Sequence, residues 1–196
     1  MGMPLDSRQD VPDEALLALY ANGDADAAFV LTQRLTPRVF GLAVRMLGDA
    51  SEAEDVVQEA MLRLWRIAPE WRQGEAQVAT WLYRVALNLA TDRLRLRKRQ
   101  GPPLDAIDDP ASPEPGAPER LQDKARTLAL QAALDDLPER QKQAVVLRHI
   151  EGLANPEIGQ IMGITTEAVE SLTARGKRAL GAALAGRRAE LGYDDD

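Results

Sequence analysis

A run of prolines divides this chain. Between Gly101 and Pro118 stand Pro102, Pro103, Pro110, Pro113, Pro115 and Pro118, with two glycines and few apolar residues. Each proline fixes φ and removes a backbone donor, so a helix cannot nucleate there and no apolar face is left to pack. The segment 101–118 is therefore expected to be a semi-extended linker between two domains, 1–100 and 119–196. Within 196 residues, both are small.

Composition limits what those domains can be. Hydrophobic residues make up 45% and charged ones 28%, inside the globular range, while aromatics at 4% argue against sandwiches or barrels. The expected fold class is all-α. With no cysteine, disulfides, iron–sulfur clusters, zinc–thiolate sites and cysteine nucleophiles are excluded. No stretch of about 18 apolar residues occurs, and acids stand in the first thirty residues where a signal peptide would carry a basic start and an apolar centre. The expected protein is cytoplasmic, without membrane insertion.

The formal charge of -7 conceals a local reversal. From Arg84 to Gln100, the bases Arg84, Arg93, Arg95, Arg97, Lys98 and Arg99 face one acid, Asp92; from Gly101 to Asp123, Arg120 stands alone against six acids. A basic block on an acidic chain points to a local polyanion contact, or else to a solvated helix end.

In the first domain, Pro12 ahead of Asp13 and Glu14 marks the first turn of a short helix that Gly23 ends. A second helix is expected from about Asp24 to Leu47, with Phe29, Leu31, Leu35, Val39, Phe40, Leu42, Val44 and Leu47 on its apolar face and Pro37 bending or breaking it. Ser51 and Glu54 form a capping-box pattern, so a third helix should start near Glu52. Trp81, Leu82, Val85, Ala86, Leu89 and Leu94 mark a fourth, whose end carries the basic block. Cations suit a helix C-terminus.

In the second domain, one helix is expected from about Glu119 to Asp135 and another from Pro138 to about Ile150, closed by Gly152. Asn155, Pro156 and Glu157 supply an N-cap, a first-position proline and a first-turn acid for a short helix with Ile158, Ile161 and Met162 inside. Gly163 suits a left-handed turn, Ile164 plugs the gap, and Thr165 caps a further helix burying Val169, Leu172 and Leu180. This is the helix-turn-helix spacing. Thr166, Glu167, Glu170, Ser171, Ala174, Arg175, Lys177 and Arg178 would face outward. Small groups let a helix enter a major groove, Glu accepts from cytosine, and Arg or Lys reaches guanine or phosphate. A solvated face would look alike.

These stretches together resemble the extracytoplasmic-function group of sigma-70 type transcription initiation factors. Gly48 to Ala60, reading GDASEAEDVVQEA, with Trp65, is similar to the region that grips the polymerase clamp; Thr80 to Asn88, TWLYRVALN, to the part that melts and reads the minus-10 element; Leu137 through Leu180 to the region-4 helix-turn-helix that reads the minus-35 element. The turn Trp71-Arg72-Gln73-Gly74-Glu75 is one residue longer than the family's usual aromatic-Arg-Gly-Asp turn.

The resemblance implies a role for each face. Asp55, Gln58 and Glu59, at helical spacings of three and four, would bind core RNA polymerase. Glu52, Asp55 and Glu59 are also co-facial, but the Glu-x-x-His pairs of bundle metal sites are missing, so no metal is expected. Trp81, Arg84, Asn88, Arg93, Arg95, Lys98 and Arg99 would serve minus-10 DNA, with Tyr83 beside them: unpaired bases need stacking and edge contacts, and cations track the backbone. Trp81 is equally readable as plain core. The helix from Thr166 to Arg178 would enter the minus-35 groove. Implied partners are core RNA polymerase, promoter DNA and an anti-sigma factor.

His149 is the only histidine and reads as structural or surface. Gly176-Lys177 lacks the Ser/Thr and upstream glycine of a phosphate loop, and no catalytic constellation or cofactor site is visible. Two other readings of the chain are a stand-alone helix-turn-helix regulator and a protein-binding helical adaptor. The acidic total argues against the first, because phosphate neutralisation supplies much of the affinity of an autonomous DNA binder.

Overall fold

The structure, a computed structural model, describes residues 10–72, 74, 77–100 and 118–185; the linker 101–117 and the polar ends 1–9 and 186–196 lie outside them. The described residues form helices and turns without a strand. They are α1 (Asp13–Ala21), α2 (Ala25–Leu47), α3 (Ala50–Ile67), α4 (Val78–Gln100), α5 (Pro118–Asp135), α6 (Glu139–Val145), α7 (Asn155–Met162) and α8 (Thr166–Ala185). A short 3-10 turn (Ala68–Glu70) follows α3, and a π turn (Val146–Ile150) extends α6.

Local chemistry sets most boundaries, with small corrections. Pro12 stands just outside α1, in an extended conformation, rather than at its first helical position. The Asp24 carboxylate accepts from the N–H groups of Asp26 and Ala27 and starts α2. At α3 the cap is Asp49, accepting from Glu52 N at 2.9 Å, and not Ser51; the helix begins two residues earlier than the capping-box pattern suggested. Helix α2 runs unbroken through Pro37, because buried Leu35 and Val39 on either side hold it against its neighbours and only one backbone donor is lost.

Periodicity then explains the packing. Leu31, Leu35, Val39, Leu42 and Met46 of α2 meet Val56, Ala60 and Leu64 of α3 and Leu82, Ala86 and Ala90 of α4, with Leu16 and Leu17 of α1 closing the end. Burying each large side chain contributes about 1.5–3 kcal/mol. Phe29 departs from expectation: it is 53% exposed, since it sits off the Val30-Leu31 stripe that faces inward.

The second unit packs α6 against α8, with α7 and α5 on its flanks; Leu134, Val146, Leu147, Ile158 and Val169 are fully buried. Here Asn155 is the first helical residue and not the cap; the half-box is made by Glu157, which accepts from Ala154 N at 2.8 Å. Gly163 takes φ 64°, the left-handed turn expected of it. Gly159 has a role the sequence did not signal: a Cβ there would lie 2.9 Å from the Ile164 carbonyl oxygen, so only glycine lets the turn close onto α7. Thr165 caps α8 through Ala168 N at 3.3 Å.

The two units meet at the C-terminus of α2. A helix leaves its last four carbonyls without intrahelical partners, and here all four are satisfied. Gly48 N takes Val44 O; Arg97 of α4 donates to Leu47 O; Gln131 of α5 donates to Arg45 O; and Lys142 of α6 donates to Met46 O at 2.8 Å. Further along, α4 faces α6 and α7 across a polar cleft.

Candidate nucleic-acid interface

Helix α3 carries the acidic face. Asp55 and Gln58 are exposed and Glu59 half-exposed, all on the side opposite buried Val56 and Val57. Three of its acids pair with arginines: Glu52 with Arg97 at 2.6 Å, Asp55 with Arg93 at 3.2 Å, Glu59 with Arg63 at 2.8 Å. Arg63 holds the Glu59 carboxyl below the usual carboxylate range, first by its hydrogen bond and then by its charge. Among the described residues, no group of three or more His, Asp or Glu is placed to hold a metal ion.

Helix α4 carries the basic face. Arg84, Asn88, Arg95, Lys98 and Arg99 are exposed and recur at helical spacing, so they form one stripe. Arg93 lies off it and turns to α3, donating to Asp55 Oδ2 and Glu52 O. Trp81 is half-buried and meets Trp71 edge-on with ring centroids 5.9 Å apart, which suits the core reading. Tyr83 is only 3% exposed and donates to Glu151 Oε2 at 2.8 Å, so its ring offers no stacking face. Burial pushes the Tyr83 phenol well up, with the Glu151 charge adding to it; burial likewise raises the Glu151 carboxyl, partly opposed by Tyr83, Arg38 and Arg45.

Asn88, Thr91 and Arg95 look into the cleft toward α6 and α7. Arg95 donates to Glu139 Oε1 at 2.9 Å, and Gln143 to Thr91 Oγ1 at 3.1 Å. Lys142, Gln143 and Glu151 were not singled out from sequence, and Tyr83 was placed there beside the minus-10 residues rather than against Glu151. Their roles depend on partners 52 to 96 residues away, and no local pattern signals that.

Helix α8 presents the third face. Glu167, Glu170, Ser171, Ala174, Arg175, Lys177 and Arg178 are exposed and Thr166 half-exposed, while Val169 and Gly176 point inward. Glu170 accepts from Asn155 Nδ2 at 3.4 Å, and Arg175 donates to Ser171 O. The Glu167 carboxyl sits below its ordinary range because backbone N–H at the helix start, then the Thr165 hydroxyl, stabilises its charge. His149 is at the surface, its pKa lowered by partial burial and then by Lys177 and Arg148. No described helix is long and apolar enough to cross a membrane.

A basic helix on one unit and a groove-sized helix-turn-helix on the other define a two-region reader of nucleic acid. Comparison narrows this class: the sigma-70 region 2 family model matches residues 31–100, and the sigma-70 region 4 model matches 127–180. The chain belongs to the extracytoplasmic-function sigma factors of the sigma-70 family, alternative initiation factors that direct RNA polymerase to promoters. It is 33% identical to the RNA polymerase sigma-H factor of Pseudomonas aeruginosa over 88% of this chain and 93% of that one. Against the ECF RNA polymerase sigma factor SigE of Mycolicibacterium smegmatis it is 38% identical, over 76% of this chain and 58% of that one. The solved structure of CnrH in complex with the cytosolic domain of CnrY superposes with a TM-score of 0.69 at 24% identity, covering 89% of this chain and 97% of that one, and so shares its fold. These matches do not favour a stand-alone regulator.

Proposed function

We propose that residues 1–100 act as the polymerase- and minus-10-binding domain, 101–118 as a linker, and 119–196 as the minus-35-binding domain. Asp55, Gln58 and Glu59 dock on core RNA polymerase. Arg84, Asn88, Arg95, Lys98 and Arg99 hold the minus-10 strand, with Trp81 and Arg93 supporting that face. Thr166, Glu167, Glu170, Ser171, Ala174, Arg175, Lys177 and Arg178 meet the minus-35 groove. The factor acts in the cytoplasm by binding and positioning rather than by catalysis, and an anti-sigma protein is its expected antagonist.

One observation carries this reading: an exposed cationic stripe and an exposed helix-turn-helix face lie on two separate units of an acidic chain. Each unit alone has few phosphate contacts to offer. Held together by a larger enzyme, the second contact becomes intramolecular and gains from effective concentration. Run-off transcription with purified core polymerase tests it: promoter-dependent transcripts are expected only when both proteins are present. Absence of such transcripts, with tight specific gel shifts by the chain alone, would overturn it.

A further inference from the structure

Two carboxylates, Glu167 and Glu170, stand on the exposed face of α8 with Ser171 and Ala174. An acid facing a groove walled by phosphates is repelled unless it accepts a proton from a base edge. The two glutamates are held differently. Glu167 has its carboxylate turned back to the backbone N–H at the helix start and to the Thr165 hydroxyl. Glu170 accepts at Oε1 from Asn155 Nδ2, the first residue of α7, at 3.4 Å; among the described residues its Oε2 has no donor.

The arm that reaches Glu170 is well fixed. Asn155 is partly buried, its backbone is helical and Pro156 follows it. Ile164 N donates to Gly159 O at 3.0 Å across the turn, and the close approach of the Ile164 carbonyl to Gly159 keeps α7 and α8 in one register. In the major groove only adenine N6 and cytosine N4 donate. Beside N6, adenine carries the N7 acceptor, which repels a carboxylate and suits an amide; beside N4, cytosine presents no acceptor of its own. A carboxylate held by one oxygen therefore fits cytosine and rejects adenine.

We propose that Asn155 is a positioning residue for promoter reading: by holding Oε1 of Glu170 it aims Oε2 at the N4 amino group of one cytosine in the minus-35 element. Glu170 is then the specificity-determining residue at that base pair. This role rests on the assignment of α8 to the minus-35 groove made above.

Holoenzyme assembled from core polymerase and the full-length chain is used to select from a pool of duplexes randomised across the promoter, and the bound fraction is sequenced. The parent should enrich a cytosine at one minus-35 pair. Glu170→Gln offers the amide that matches adenine N6 and N7, so preference at that pair should move from cytosine to adenine, with the other pairs unaltered. Asn155→Ala should lower the cytosine preference at the same pair by about 10-fold, the scale of one base contact, and leave the other pairs unaltered. Asn155→Asp, of the same size but with an acceptor facing the carboxylate, should give the same loss, and is read in place of Asn155→Ala if circular dichroism shows the latter to lose helicity. A purely structural role for Asn155 would weaken selection at all minus-35 pairs together. That uniform loss, a cytosine preference that persists in both Asn155 variants, or the absence of any cytosine that depends on Glu170 would overturn the proposal. In each of these outcomes the holoenzyme still selects a promoter and the initiation-factor reading stands, whereas a parent holoenzyme that selects no sequence would overturn both.

Discussion

Arg93 of α4 donates to the Asp55 carboxylate of α3 at 3.2 Å and, through the same nitrogen, to the Glu52 carbonyl. Helices α3 and α4, proposed above to face polymerase and DNA, are thus tied together through Asp55 and Arg93. Asp55 keeps 64% of its side chain exposed, so this pair is solvent-screened and stabilises the fold little. The carboxylate remains available to a basic partner.

Reversing Asp55 and Glu59 together, as Asp55→Arg and Glu59→Arg, should therefore weaken association with core polymerase by at least ~10-fold, since juxtaposed like charges across an interface cost several kcal/mol. The melting temperature should stay within a few degrees of the parent. Co-sedimentation or fluorescence anisotropy with core enzyme, beside a thermal melt, measures both.

Lys98 and Arg99 are exposed at the end of α4. If they neutralise phosphates, each substitution to alanine should lower the slope of log affinity against log salt by about 1, with little dependence on promoter sequence. A salt titration of holoenzyme on promoter DNA reads the slope; an unaltered slope would remove both residues from the DNA face.

Burial of the Glu151 carboxyl beside Tyr83 makes stability depend on pH. Burial raises the Glu151 carboxyl above its ordinary value of 4.5, so the native state holds its proton more tightly than the unfolded chain does. Stability from this group is complete below that ordinary value and is lost as pH rises through the elevated native one. Glu151→Gln, which keeps an acceptor for the Tyr83 hydroxyl, should flatten this decline and match or exceed the parent at neutral pH. Chemical denaturation at several pH values from mildly acidic to neutral checks the sign.

At Gly176 an added Cβ would stand 2.5 Å from Val145 Cγ2 and 3.3 Å from Gln141 O, where α8 presses on α6. Overpacking costs about 1–3 kcal/mol, and the helix preference for alanine over glycine returns about 1 kcal/mol of it. Gly176→Ala should therefore destabilise the second unit by roughly 1 kcal/mol. Urea unfolding of the full chain should show the loss.

Much of the candidate site was legible beforehand because its signals are local. The stripe on α4 follows from basic residues at helical spacing, and the exposed face of α8 from the spacing of Val169 and Gly176 about the Gly163 turn. Errors fell where two local signals competed. Ser51 and Asp49 both offer a side-chain oxygen, and Asp49 wins at α3. Pro37 reads as a breaker until the core on both sides of it is known. Tyr83 sits in sequence beside the residues expected to face DNA, but one helical step inward in space.

From residue types alone, the chain is bound to be helical and divided at its prolines, with helices that begin at acids and oxygens, end at glycines, and carry charge in named places. Those outcomes depend on groups within a turn or two of each other. Tertiary structure decided which α2 carbonyls receive Gln131 and Lys142, that Glu151 is buried against Tyr83, and that the α4 stripe faces α6 and α7. Each pairs groups 44 to 96 residues apart across a proline-rich segment, so no spacing along the chain encodes it; only the packing of whole helices brings the partners within hydrogen-bond reach.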